Sequence, residues 1–157
     1  MPVMGTASQR LAELGLQLPA VALPAGSYLP AAQTGALVYT AGQLSFVDGR
    51  LEVTGKVGAE VSAEQANAQA RICALNALAA IDALVGLDRI VRVVRVGGFV
   101  ASTPEFTGHP GVINGASDLL FEIFGEAGRH ARTAVGVAAL PLDAPVEVEL
   151  IVEIAQL

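Results

Sequence analysis

Apolar side chains recur at spacings of three and four through Ala70, Cys73, Ala74, Ala77, Ile81 and Leu84, which draws a single stripe down one helix. Ser62-Ala-Glu-Gln65 ahead of the stripe is a capping box, and Gly86 behind it is a stop. The longest helix of the chain is therefore expected to end at Val85. Thr6-Ala-Ser-Gln9 is a second capping box, opening a short helix that Gly15 would end. A third helix should begin near Pro110 and carry Val112, Ile113, Leu119, Leu120, Phe121 and Phe124 as far as Gly125. Its approach, 103–108, reads as loop, and 126–130 as a polar link.

Strand patterning occupies the remaining chain. Residues 36–41 are β-branched and aromatic, and 42–47 continue or bend that strand. Asp48-Gly49 is a hairpin signal into 50–53. Residues 90–96 form a strand, with a bulge expected at Gly97-Gly98 before 99–101. Two last strands, 132–141 and 145–154, are joined by a short Pro/Asp turn and are expected to lie side by side. The order β, β, long helix, β, helix, β, β predicts a mixed α/β layer with two helices on one face of a sheet. The opposite face is expected to be apolar and to need a cover.

Composition sharpens that expectation. The 157 residues suit one domain, 1–157. At 53% hydrophobic and 15% charged, the chain is richer in apolar residues than an ordinary soluble monomer, so a homo-oligomer is expected to hide the excess. A membrane is not expected. The uncharged stretch 14–47 is broken by Pro19, Pro24 and Pro30 and by Gln17, Ser27, Gln33 and Thr34, well short of the roughly 20 apolar residues of a spanning helix. No basic segment followed by an apolar core opens the chain, so no secretory signal is expected. A net charge of −6 with Lys56 as the only lysine disfavours nucleic acid, and aromatics at 4% offer few stacking platforms. A small anion is still compatible, since one focused arginine can hold a carboxylate. Cys73 alone forms no intrachain disulfide, and with His109 and His130 it leaves no zinc-ligand spacing. A cytoplasmic setting is expected.

Candidate chemistry gathers in the last quarter. Alternation puts Arg132, Ala134, Gly136 and Ala138 on one strand face, stripped of bulk and open to a ligand or a neighbouring backbone. Glu147, Glu149 and Glu153 share one face of the last strand, opposite Val146, Val148, Leu150, Val152 and Ile154. Carboxylates two residues apart lie roughly 7 Å from each other, so Arg132, Arg92 or Arg95 are candidate partners. Two readings stand: an anion site with an acid/base partner, or a solvated acidic face with Arg132 in a structural ion pair. Cys73 reads as core, and His109 and His130 as surface or capping residues. Gly97-Gly98 lacks the glycine pattern of a dinucleotide loop.

The run Arg132-x-x-Val135-x-Val137-x-x-Leu140-Pro141, followed by Val146-Glu147-Val148-Glu149, resembles the RidA/YjgF/UK114 family of reactive-imine deaminases, often labelled L-PSP endoribonucleases. Thr40-x-Gly42-Gln43, Tyr28 and Asn114 add to the match. The resemblance implies an α/β (α+β) chorismate-mutase-like fold, with a mixed sheet of about six strands, two helices on one face and a short N-terminal helix. It also implies a barrel-like homotrimer with clefts between subunits. There Arg132 would bind the carboxylate of a small substrate, and Glu147 would activate water to hydrolyse a 2-imino or enamine acid to a 2-keto acid and ammonia, without cofactor or metal. Tyr28, Thr40, Ala41, Gly42, Gln43, Asn114 and His130 would bind substrate. Alternatives are a non-catalytic trimer that binds small carboxylates, and an endoribonuclease. Ala134 stands where many members carry cysteine. The segment from Asn114 through Arg132 resembles a longer branch, in which His130 and Asp118 are candidate branch-specific residues.

Overall fold

The computed structural model describes residues 5–156. Local signals set the helices. In α1 (Ala7–Glu13) the Thr6 hydroxyl accepts from Gln9 N, and the Gln9 side chain accepts from Thr6 N. The same reciprocal pair between Ser62 and Gln65 opens α2 (Ala63–Val85), which Gly86 ends at φ +93°. Pro110 lies in the first turn of α3 (His109–Phe124), and Gly125 closes it at φ +61°. Each opening box satisfies backbone donors that the helix cannot satisfy itself.

Strands β1 (Ala31–Thr34), β2 (Leu37–Thr40), β3 (Gln43–Leu44), β6 (Ile90–Ala101), β7 (Ala131–Val137) and β8 (Val146–Ile154) make a mixed sheet in the order β1-β2-β8-β6-β7, with β3 also on β8. A separate hairpin joins β4 (Phe46–Val47) and β5 (Arg50–Leu51) through Asp48-Gly49, both at positive φ, the turn type that suits a two-residue hairpin. β1 was not foreseen. Its Ala-Ala-Gln-Thr sequence has little strand preference, and it forms because β2 offers it an edge across the tight turn at Gly35.

The expectation that the last two strands lie side by side is overturned. β6 stands between them, parallel to β7 and antiparallel to β8. α3 links β6 to β7, and a helical crossover is what returns a chain parallel to the strand it left. Nor do Gly97 and Gly98 form a bulge. The irregularities of β6 lie earlier, between Ile90 and Arg92 and between Val93 and Arg95. The two glycines instead admit close neighbours. A Cβ on Gly97 would meet Glu149 Oε1 at 2.7 Å, and one on Gly98 would meet Ile113 at 2.6 Å.

Both long helices cover one face of the sheet. Val146, Val148, Leu150, Val152 and Ile154 of β8 point into this core, with Ala66, Ala70, Cys73, Ala74, Ala77 and Ile81 of α2. The small side chains let α2 lie close over the sheet, with Cys73 Sγ 3.6 Å from the Val146 carbonyl. Leu84, at the end of the stripe, is half exposed. By length and composition α2 could cross a bilayer, but its buried face belongs to this core. The opposite face mixes hydrocarbon with charge, where a wholly apolar face had been expected. Register brings Glu147 beside Phe99, Glu149 beside Gly97 and Arg92 beside Glu153, with Tyr39 and Ile151 among them. The strict alternation of β8 sends its hydrocarbon to one side and its carboxylates to the other.

Candidate functional site

Arg132 is the second residue of β7 and turns toward α3. Its Nη1 donates to Asn114 Oδ1 at 2.7 Å and to Ser117 Oγ at 3.1 Å, and its Nη2 to the Pro110 carbonyl at 3.4 Å. Asn114 and Ser117 are one helical turn apart, so α3 presents both on one face. A guanidinium has five N–H donors. Three are engaged here, and Nε and one Nη2 hydrogen take no acceptor among the described residues. None of the ion pairs among those residues includes Arg132, so the structural ion pair expected for it is absent there. Arg95, another candidate partner of the glutamates, donates to Thr133 Oγ1 at 2.8 Å.

Behind the guanidinium, Ser117 Oγ lies 3.0 Å from His130 Nε2. The hydroxyl of Ser117 thus links the Arg132 guanidinium to the imidazole, whose other nitrogen is Nδ1. That atom is buried and has no partner among the described residues. Burial, and then the Arg132 charge, hold the His130 pKa below its ordinary value. These residues border an open cleft of about 390 Å³ with Asp118, Phe121, Gly128 and Arg129. Arg129 lies over the Phe121 ring at 4.6 Å and pairs with Glu126 at 3.1 Å.

Glu147 is the second residue of β8 and faces away from the helices. It borders a different cavity of about 190 Å³, shared with Tyr28, Pro30, Gly42, Gln43, Leu44 and Phe46. Gly42 lets the Glu147 carboxylate lie close, since a Cβ there would meet it unless the side chain shifted. Burial, and then the neighbouring Glu149, raise the Glu147 carboxyl pKa above its ordinary value. The Tyr28 hydroxyl accepts from Ala25 N at 3.1 Å, which folds the strap around the cavity mouth.

The residues singled out in the sequence thus divide. Asn114, His130 and Asp118 gather with Arg132, while Tyr28, Gly42 and Gln43 gather with Glu147. Thr40 and Ala41 line neither cleft. Thr40 is buried and its Oγ1 accepts from Leu150 N at 3.0 Å, while Ala41 N donates to the Pro30 carbonyl at 2.8 Å; both hold the strap and strand in place. Sequence reasoning missed Ser117, although its spacing of three from Asn114 put it on the same helix face.

Other candidates are structural. The strand face beyond Arg132 is filled from within, since Ala134 packs on the core and a Cβ on Gly136 would meet His109 Nε2 at 2.5 Å, so the room beside the arginine is the cleft toward Asp118 and Phe121. His109 is held by Ser102 Oγ at 3.0 Å and by an edge-on contact with Phe106. Cys73 is fully buried, which pushes its thiol far above the ordinary range and leaves it inert.

A mixed sheet with two helices on one face, a short N-terminal helix and two clefts, one at Arg132 and one at Glu147, defines a chorismate-mutase-like α+β protein. The chain belongs to the YjgF/chorismate mutase-like family, described as "putative endoribonuclease", which it matches over residues 8–154. Protein TCP17 of Trypanosoma cruzi is 45% identical over 96% of this chain and 95% of its own length. Among solved structures, Atu1372 of Agrobacterium tumefaciens, a protein of unknown function, is 46% identical over 95% of this chain and 92% of its own, with a TM-score of 0.87. A Shewanella oneidensis protein, also described as a putative endoribonuclease, is 37% identical over 96% of this chain and all of its own, with a TM-score of 0.92.

Proposed function

We propose that the protein is a hydrolytic deaminase of small reactive 2-imino and enamine acids, acting as a homotrimer with sites between copies. The observation that carries this reading is the Nε edge of Arg132, where Nε takes no acceptor among the described residues while α3 fixes the guanidinium from behind and no carboxylate of those residues pairs with it. Such an edge matches a carboxylate fork to fork. Glu147 lies on the far side of the sheet in the same chain, so this reading sets the β7 edge of one copy against the Glu147 cavity of the next. A cyclic assembly repeats that contact at every interface.

In this site Arg132 holds the substrate carboxylate. Ionised Glu147 takes a proton from water as the water oxygen bonds to the carbon of the protonated imine, and the C=N pair moves onto nitrogen. Glu147 returns the proton to that nitrogen, the C–N bond breaks, and ammonia departs as the hydroxyl loses its proton to give the 2-keto acid. The raised Glu147 pKa makes it a stronger base than a free carboxylate. The protonated imine is already electrophilic, so the reaction calls for no cofactor.

Ribonuclease action fits less well with a net charge of −6 and a single lysine. A binding protein without turnover would use Arg132 and leave Glu147 idle. The test is 2-keto acid release while an amino-acid oxidase generates the imine. Wild type should accelerate release. Arg132→Ala should lose about 10-fold or more in kcat/KM, the worth of a charge-assisted pair. Glu147→Gln should lose about 100-fold or more in kcat and still bind 2-keto acids. Wild type that binds them without accelerating release would make the protein a carboxylate sensor.

A further inference from the structure

The wall of the Glu147 cavity is hydrocarbon, and much of it faces solvent. Leu23 is 92% exposed, Leu142 67% and Tyr28 49%, and all three border the same small cavity with Leu44 and Phe46. Three large side chains left in water around one half-buried carboxylate are a surface that gains from being covered.

Leu142 is held there against its backbone preference. Leu142 and Asp143 follow one another in the left-handed region at φ +59° and +58°, which costs of order 1 kcal/mol or more for each non-glycine residue. The surroundings hold them in place. Gly55 N donates to the Asp143 carbonyl at 2.9 Å, Asp143 N to the Leu140 carbonyl at 3.2 Å, and the Lys56 ammonium pairs with Asp143 Oδ1 at 2.5 Å. The only lysine of the chain thus clamps this turn. Within one chain Leu142 stays mostly exposed, so burial in the chain's own core does not explain its conformation. What the turn achieves is to present an isobutyl group to the cavity.

Resting on the reading that this cavity receives a 2-imino acid, we infer that its substrate carries an apolar side chain larger than a methyl group, and that Leu142 on the Lys56–Asp143 turn is a specificity-determining residue. The cavity volume of about 190 Å³ is over ten times the roughly 10–15 Å³ that one water needs, so it admits a branched chain. An acidic side chain would meet the carboxylate of Glu147. A neutral polar one would be desolvated against a wall with few partners.

The test pairs binding with turnover. Calorimetry would compare pyruvate, 2-oxobutanoate and 4-methyl-2-oxopentanoate on the wild-type protein and on Leu142→Asn, a residue that tolerates the left-handed region, with thermal melting to establish that the variant is folded. The branched acid should bind on the order of 10-fold or more tighter than pyruvate, and in Leu142→Asn that ratio should fall to a few-fold. Lys56→Met, which releases the turn without touching the cavity wall, should lower the ratio as well. A flat series, or a ratio unchanged in Leu142→Asn, overturns the proposal. If the preference holds but no imine is turned over, the deaminase reading fails and the apolar subsite stands. If imines are turned over without regard to side-chain size, the subsite fails and the deaminase stands. Absence of binding by every member overturns both.

Discussion

Arg132 and Glu147 stand on opposite faces of the sheet, with β6 between their strands. Arg132 is in register with Val96, and Val96 with Leu150 on the helix side, whereas Glu147 is three residues before Leu150 and turns the other way. One chain cannot bring this guanidinium and this carboxylate to one small ligand, so a site that uses both must be built from two copies.

Subunit mixing checks that consequence. Arg132→Ala and Glu147→Gln should each be strongly impaired as pure assemblies. Refolded together in equal amounts, they should regain about a quarter of wild-type activity, because about a quarter of interfaces in a randomly mixed ring pair an intact arginine with an intact glutamate. Activity that stays at the level of the parents would place both groups within one chain's site, or show that one of them has no part in it.

The brace behind Arg132 should matter for binding more than for chemistry. Asn114→Ala and Ser117→Ala remove acceptors at 2.7 and 3.1 Å from Nη1 and free the guanidinium to rotate. Each should raise KM by about 10-fold, the range of a hydrogen bond to a charged group, with kcat little changed. An equal fall in kcat would instead assign the pair to the transition state.

Glu147 sets a pH dependence with a definite sign. Its pKa is raised by burial and then by Glu149, and it acts as a base only when ionised. The acid limb of kcat/KM should therefore lie above the ordinary carboxylate range. Glu149→Gln removes the like charge, so the limb should move to lower pH. Stability follows the same linkage. A carboxyl whose folded pKa is raised contributes most below its unfolded pKa, and that contribution is lost as pH rises through the folded value. Glu147→Gln should thus raise the melting temperature at neutral pH, with the gain vanishing below about pH 4. A gain that persists in acid would point to packing instead.

Two glycines of α3 should respond with opposite signs. A Cβ on Gly115 would collide with the Asn67 carbonyl of α2, while one on Gly111 meets nothing within 4 Å. Gly115→Ala should cost about 1–3 kcal/mol, seen as a fall in melting temperature. Gly111→Ala should add about 0.5–1 kcal/mol by restricting the unfolded chain. A neutral Gly115→Ala would mean that α2 and α3 can separate slightly without loss.

Local signals were legible in the sequence because their causes lie within a few residues. The capping boxes at Thr6 and Ser62, the stops at Gly86 and Gly125, the Asp48-Gly49 hairpin and the buried stripe of α2 all appear where the pattern put them. The alternation of β8 also separated core from carboxylates correctly.

What the sequence determined by itself is where helices and turns begin and end and which face of each element a residue occupies, since caps, turns and periodicities are settled by immediate neighbours. Only the tertiary structure decided where those faces meet. A strand's partner is chosen by long-range competition for sheet edges, and that competition placed β6 between β7 and β8 and gave β1 an edge that its own residues do not call for. It also divided one list of candidate residues between two clefts. The left-handed turn at Leu142 belongs to the same class. It exists because Lys56 and Gly55, more than eighty residues earlier in the chain, are folded against it.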